Sequence, residues 1–299
     1  ISTQKTINKY EKKGIFTVKQ LSYLYRQKKR RKKPAKNIAI LHKPELQALA
    51  IQTKKIYLLE TPKLMRHSTE LFLDIEGVPD LQLYYLIGLL ILKDNDTSYK
   101  NFWADNIKDE KIIWQQFLEI FYQYPDAPIY HYGNYDLKAV DKLNKRYGPI
   151  NEDIKSRFVN VNSHIYGKVY FPVKSNSIKE IGGYLGASWT SHNASGLQSL
   201  IWRHFWDEKH CSESKQALKT YNKEDCKALK LLVNELSRIG DQVDIMQDVD
   251  FVNNPKSHLP ISTSDLIDQF GAILEFAHLD SQNRKIRFQF LEKNSKRPK

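Results

Sequence analysis

Cysteine is nearly absent from this 299-residue chain. Cys211 and Cys226 are the only two, and neither stands near His or a second Cys at zinc-site spacing. That scarcity argues against a disulfide framework and a structural zinc site, and it favours a cytoplasmic setting. Long apolar runs are lacking as well. No stretch of eighteen apolar residues occurs, and the most apolar one, around Tyr84 to Leu92, is too short to span a bilayer, so no membrane partner is expected. No secretory leader pattern opens the chain. It starts at Ile1 rather than Met, as a fragment or a processed product would. There is no internal repeat, and nothing reads as a base-specific contact.

What is present is ample material for a core: 41% hydrophobic and 12% aromatic residues. The length suits one sizeable domain with additions, or two small ones. The net charge of +13 is unevenly placed. Residues 1–36 carry +12 and residues 284–299 carry +6, which leaves the stretch between them at −5. A mildly acidic middle with basic ends suits a core whose polyanion affinity comes from its flanks. Solubilising tails would show the same charge. Independent chemistry in the middle favours nucleic acid.

That chemistry begins in LFLDIEG (Leu71 to Gly77), an apolar strand pattern interrupted by two acids. Residues i and i+2 of a strand share a face, so Asp74 and Glu76 lie side by side. Two adjoining carboxylates in a poorly solvated place stay ionised only beside a positive partner. Mg²⁺ prefers such oxygen ligands. Asp136, in HYGNYDLKAV, follows a strand and a tight turn, where an acid at a helix start would need no further explanation. Tyr221 and Asp225, in TYNKEDCKAL, are four apart on a helical segment and share a face. Each of these taken alone has an ordinary structural reading, and Asp74 with Glu76 has the weakest one.

The periodicities predict an α/β chain. Short helices flank Gly14, with Thr17 suited to cap the second, in a pattern like half of a helix-hairpin-helix. The cationic run Lys28, Lys29, Arg30, Arg31, Lys32, Lys33 reads as a linker able to meet phosphate. A helix is expected over 44–52 and a strand over 54–60. Strands over 71–76, 84–93 and 99–104 form a meander. A helix over 110–122, a strand over 127–133 and a helix over 135–147 follow. Helices are expected over 178–186, 197–209, 214–238 and 265–279, a loop over 241–259, and an edge strand over 284–291. Lower-ranked candidates each have two readings. Asn134 lines a site rim or serves its turn; Ser177 and Lys179 bind phosphate or cap and solubilise a helix. His131 contacts substrate or a carboxylate, or is structural. Trp189, Trp202 and Trp206 stack on bases or pack.

Taken together, Asp74, Glu76, Asp136, Tyr221 and Asp225 resemble the motifs of the DEDD exonuclease superfamily, in its tyrosine branch. More narrowly, residues from about 37 to 291 resemble the C-terminal ribonuclease-H-like module of the RecB-like nuclease family. The supporting stretches are HKPELQALAIQTKKIYLLE, FLDIEG, YYLIGLL, NFWAD, IYHYGNYD, YFPVKSNSIKEIGGYLGASW and TYNKEDC. Relatives often carry a RecB-like domain upstream, so such a domain or a larger nucleic-acid-processing complex is an implied partner. The family commonly has Glu where this chain has Asp136. The resemblance implies a ribonuclease-H-like mixed sheet with flanking helices over residues 67–291. Before it come a basic helical segment at 1–36 and a connecting helix and strand at 37–66; a basic tail at 292–299 follows. It also implies two Mg²⁺ or Mn²⁺ ions, about 3.5–4 Å apart, held by Asp74, Glu76, Asp136 and Asp225, with Tyr221 orienting water. The implied activity is hydrolysis of DNA or RNA, 3′ to 5′, from single strands or ends. The alternative is an inert ribonuclease-H-like module that binds nucleic acid or a protein.

Overall fold

The computed structural model describes residues 4–25, 41–148 and 155–252. The run Lys28 to Lys33, the expected helix over 265–279 and the expected strand over 284–291 lie outside the described residues.

The central sheet has five strands in the order β4-β3-β2-β5-β6. These are β2 (Thr69–Val78), β3 (Leu83–Lys93), β4 (Asp96–Trp103), β5 (Ile129–His131) and β6 (Phe158–Asn160). The expected meander forms: β2 pairs antiparallel with β3, and β3 with β4. Then β5 joins β2 in parallel and β6 joins β5 in parallel. The crossover from β4 to β5 is α4 (Ile107–Gln123), and α5 (Tyr135–Tyr147) follows β5. Asn106 caps α4 by accepting from Lys108 N, and Ile113, Trp114, Phe117 and Phe121 bury its apolar stripe.

Alternation along β2 sorts its side chains into two layers. Leu71, Leu73 and Ile75 enter the core under α4 and α5, with Ile87, Leu89 and Ile91 of β3. Phe72 enters the opposite core, beneath the long helix α9 (Ser212–Gln242). Asp74 and Glu76 share the Phe72 face, so the acids that interrupt the apolar run all point toward α9.

A second sheet, ordered β7-β1-β8, joins β1 (Ile56–Leu58), β7 (Val169–Tyr170) and β8 (Val249–Phe251). Here β1 pairs antiparallel with β7 and parallel with β8. The expected loop over 241–259 therefore contains a strand. Three residues are too few to show a period, and the pairing partner is almost two hundred positions away. Helix α3 (Pro44–Thr53) packs here, and Gln47 Nε2 donates to the carbonyls of Phe171 and Val173 at 2.6 and 2.7 Å. The leading segment forms α1 (Gln4–Glu11) and α2 (Val18–Ser22). Thr17 caps α2 in a reciprocal box with Gln20, as expected. The remaining helices are α6 (Asn162–Ile165), α7 (Ile178–Tyr184) and α8 (Gly196–Lys209).

Candidate metal centre

Asp74 and Glu76 come from the middle of β2, and Asp225 comes from α9 across from them. One carboxylate oxygen of each lies within 4.8 Å of the others. Asp225 is buried, and Asp74 and Glu76 keep limited contact with solvent. Each acid has one fixed neighbour. Asn222 Nδ2, one turn before Asp225, donates to both the carbonyl and Oδ2 of Asp74, at 2.9 and 2.6 Å. Ser199 of α8 donates to Glu76 Oε2 at 3.0 Å. Trp189 Nε1 donates to Asp225 Oδ1 at 2.6 Å.

Asn222 can come this close because its neighbour on β3 is glycine. Gly88 pairs opposite Asp74, and a Cβ there would lie 1.5 Å from Asn222 Oδ1. Tyr99 of β4 donates to that same oxygen at 2.6 Å. Asn222 is fully buried, so all this hydrogen bonding is internal. A similar bridge fixes α8. Arg203 lies across the rings of Tyr85 and Trp103 and donates to the carbonyls of Ala104 and Asp105.

The electrostatics are those of crowded acids. Burial, then Glu76 and Asp225, hold the Asp74 carboxyl well above its ordinary range. Glu76 is pushed up to about 8 by burial and Asp225, against the Ser199 hydrogen bond. Burial also raises Asp225, with Trp189 and Lys179 opposing. Tyr221 is raised by burial and the carboxylates, so it keeps its proton. Lys179 of α7 is the nearby cation. Its Nζ sits 4.3 Å from the Tyr221 ring centroid and donates to the Ala194 carbonyl. Burial lowers its pKa, with Asp225, Glu76 and Asp74 pulling the other way.

Asp136 is buried beside this cluster but is not one of the three converging acids. Its Oδ1 accepts from Ile75 N at 3.0 Å. That amide lies beyond the last β2–β5 pair, Phe72 with Tyr130, and needs a partner. Burial raises Asp136 to about 7, against backbone donors from Ile75, Asp136 and Tyr132.

Residues 71–237, more than half of the chain, match RNase_H_2 of the RNase H superfamily. The chain belongs to the RNase H superfamily. No curated protein and no solved structure matches it significantly. In this RNase H-superfamily domain the other candidates settle in different places. Ser177 is the α7 cap, accepting from Glu180 N. Asn134 precedes α5 and accepts from Asn160 Nδ2 at 3.1 Å. His131 is buried against Phe158, and burial lowers it to about 4. Trp202 packs on Tyr221, and Trp206 packs on Trp103 while donating to Asp105. Asn222, Ser199 and Gly88 were not among the sequence candidates. Only Asn222 carried a signal, since a polar residue at a core-facing helix position needs a buried partner.

Proposed function

We propose that this RNase H-superfamily chain is a metal-dependent nuclease whose site is built on Asp74, Glu76, Asp136, Tyr221 and Asp225. The observation that carries this reading is the convergence of Asp74, Glu76 and Asp225 within 4.8 Å, all with raised carboxyl pKa values. Crowded acids with little positive charge nearby are costly unless a cation joins them. All three offer hard oxygen, the donor set that Mg²⁺ and Mn²⁺ take. Asp136, buried beside them, would be the fourth acid. When bound, the ions would supply charge neutralisation at the phosphate and a lowered pKa for water.

The chain's own groups do the rest. Asn222, Ser199 and Trp189 aim the three carboxylates. Tyr221, held protonated, orients a water through its hydroxyl rather than removing a proton. Lys179 offers a cation to a phosphate oxygen at the edge of the cluster. The tyrosine-branch pattern and the RecB-like stretches support 3′ to 5′ removal of nucleotides from single strands or ends. An inert binding module would keep the fold without needing converging acids.

The test uses end-labelled single-stranded and duplex DNA and RNA with Mn²⁺, Mg²⁺ or EDTA, and Asp225→Asn beside the parent. Metal-dependent cleavage lost in the variant supports the nuclease. Equal cleavage by both proteins means contamination, and binding with no cleavage in any metal supports the inert module.

A further inference from the structure

The flank of α9 turned away from the acids carries a different chemistry. Lys215, Lys219, Lys223, Lys227 and Lys230 recur at steps of four, four, four and three. Three of them, Lys223, Lys227 and Lys230, line a groove of about 530 Å³ with Leu90, Thr97, Tyr99 and Leu231, and no carboxylate lines it. Lys215 pairs with Asp105 at 3.5 Å. Among the described residues, none of the other four lysines has an ion pair. Glu224, three residues before Lys227, is taken by Thr190 N and Oγ1. Like charges at i and i+4 repel, so this stripe destabilises its own helix unless an anion lies along it. The clustering also stands out because residues 37–283 are net acidic.

We infer that the groove between α9 and β4 binds the phosphate backbone of a single nucleic-acid strand, as a contact surface separate from the metal centre. Lysines four apart on a helix rise by about 6 Å per step. That is close to the separation of successive phosphates on an extended strand. Tyr99 and Leu90 give the floor an apolar surface for sugars or bases, and Lys223 lies 5.8 Å from the Tyr99 ring centroid. A solvated lysine face needs neither the concavity nor that floor. The inference rests on nucleic acid being the substrate, as proposed above.

The test measures binding of labelled oligothymidylate to the full chain in EDTA, between about 50 and 200 mM salt. One variant carries Lys223→Gln, Lys227→Gln and Lys230→Gln. A control carries Lys108→Gln, Lys111→Gln and Lys138→Gln, the same charge change at exposed sites elsewhere. In the groove variant, the slope of log affinity against log salt should fall by about two and affinity by about tenfold or more. The control should lose far less. Equal losses in both, or no binding by the parent at low salt, overturn the groove. Mn²⁺ uptake by each protein, measured without nucleic acid, reports on the metal centre separately, so either reading can fail alone. Matching thermal melts exclude a folding defect in the variants.

Discussion

Replacing Asn222 by Ala removes two hydrogen bonds from Asp74 and the shorter of the two that the Tyr99 hydroxyl donates, leaving it only the Lys219 carbonyl at 3.4 Å, without changing a carboxylate. A neutral hydrogen bond contributes about 0.5–1.5 kcal/mol, and a buried polar group left without its partner costs about 1–3 kcal/mol. Partial relaxation of α9 and β4 should leave a net destabilisation of about 2–4 kcal/mol. Tyr99→Phe removes one short neutral bond, to Asn222, and one long one, to the Lys219 carbonyl, and should cost about 0.5–1.5 kcal/mol. The double variant should lose less than the two single losses added, because both act through Asn222 Oδ1. Guanidinium unfolding in EDTA gives these values. Mn²⁺ titration by calorimetry should show affinity falling about 10- to 100-fold in Asn222→Ala, since Asp74 is no longer aimed. A loss below about 0.5 kcal/mol with unchanged Mn²⁺ affinity would refute the role given to this bridge.

Gly88→Ala should be worse than Asn222→Ala, because its Cβ would collide with Asn222; the purified variant should melt well below the parent and take up little Mn²⁺. In the metal-free protein, Glu76 and Asp136 favour the fold at lower pH. Folded Glu76 titrates near 8 and Asp136 near 7, both above their ordinary values of 4.5 and 3.8, so the folded state holds these protons more tightly than the unfolded chain. Their contribution is complete below about pH 4 and is lost as pH rises through 7 to 8. Melting in EDTA should show Tm falling across that window, while stabilisation by Mn²⁺ grows; a Tm that rises from pH 6 to 8.5 would contradict the geometry. Tyr221→Phe should keep Mn²⁺ affinity within a few-fold and slow cleavage about 100-fold, read in single-turnover assays.

Much of the sheet and part of the site were legible in the sequence. Period-two alternation placed Asp74 beside Glu76, and helical spacing placed Tyr221 beside Asp225. Both are local relations that survive any tertiary arrangement. Asn222, Ser199 and Trp189 were not legible in these roles, because each acts on an acid from a distant element. Asp136 shows the same limit. The acid itself was plain in HYGNYD, yet its Oδ1 is claimed by an Ile75 amide left free where β5 ends, and pairing length cannot be read from composition. The strands β6, β7 and β8 are three residues or fewer, too short to display any period.

Helix α9 is one unbroken rod of 31 residues, about 46 Å long, with Tyr221 and Asp225 on one flank and the lysine stripe on the other. Inserting or deleting a single residue before Tyr221 would turn everything beyond it by about 100° relative to the N-terminal turns. Acids would swing off the sheet and lysines toward it. Changes in length are therefore tolerable in an exposed turn such as 79–82 but not within this helix, whereas substitutions on its solvent side are not so constrained. Alanine insertions scanned along 212–242, compared with insertions in the exposed 79–82 turn between β2 and β3, would map that intolerance directly.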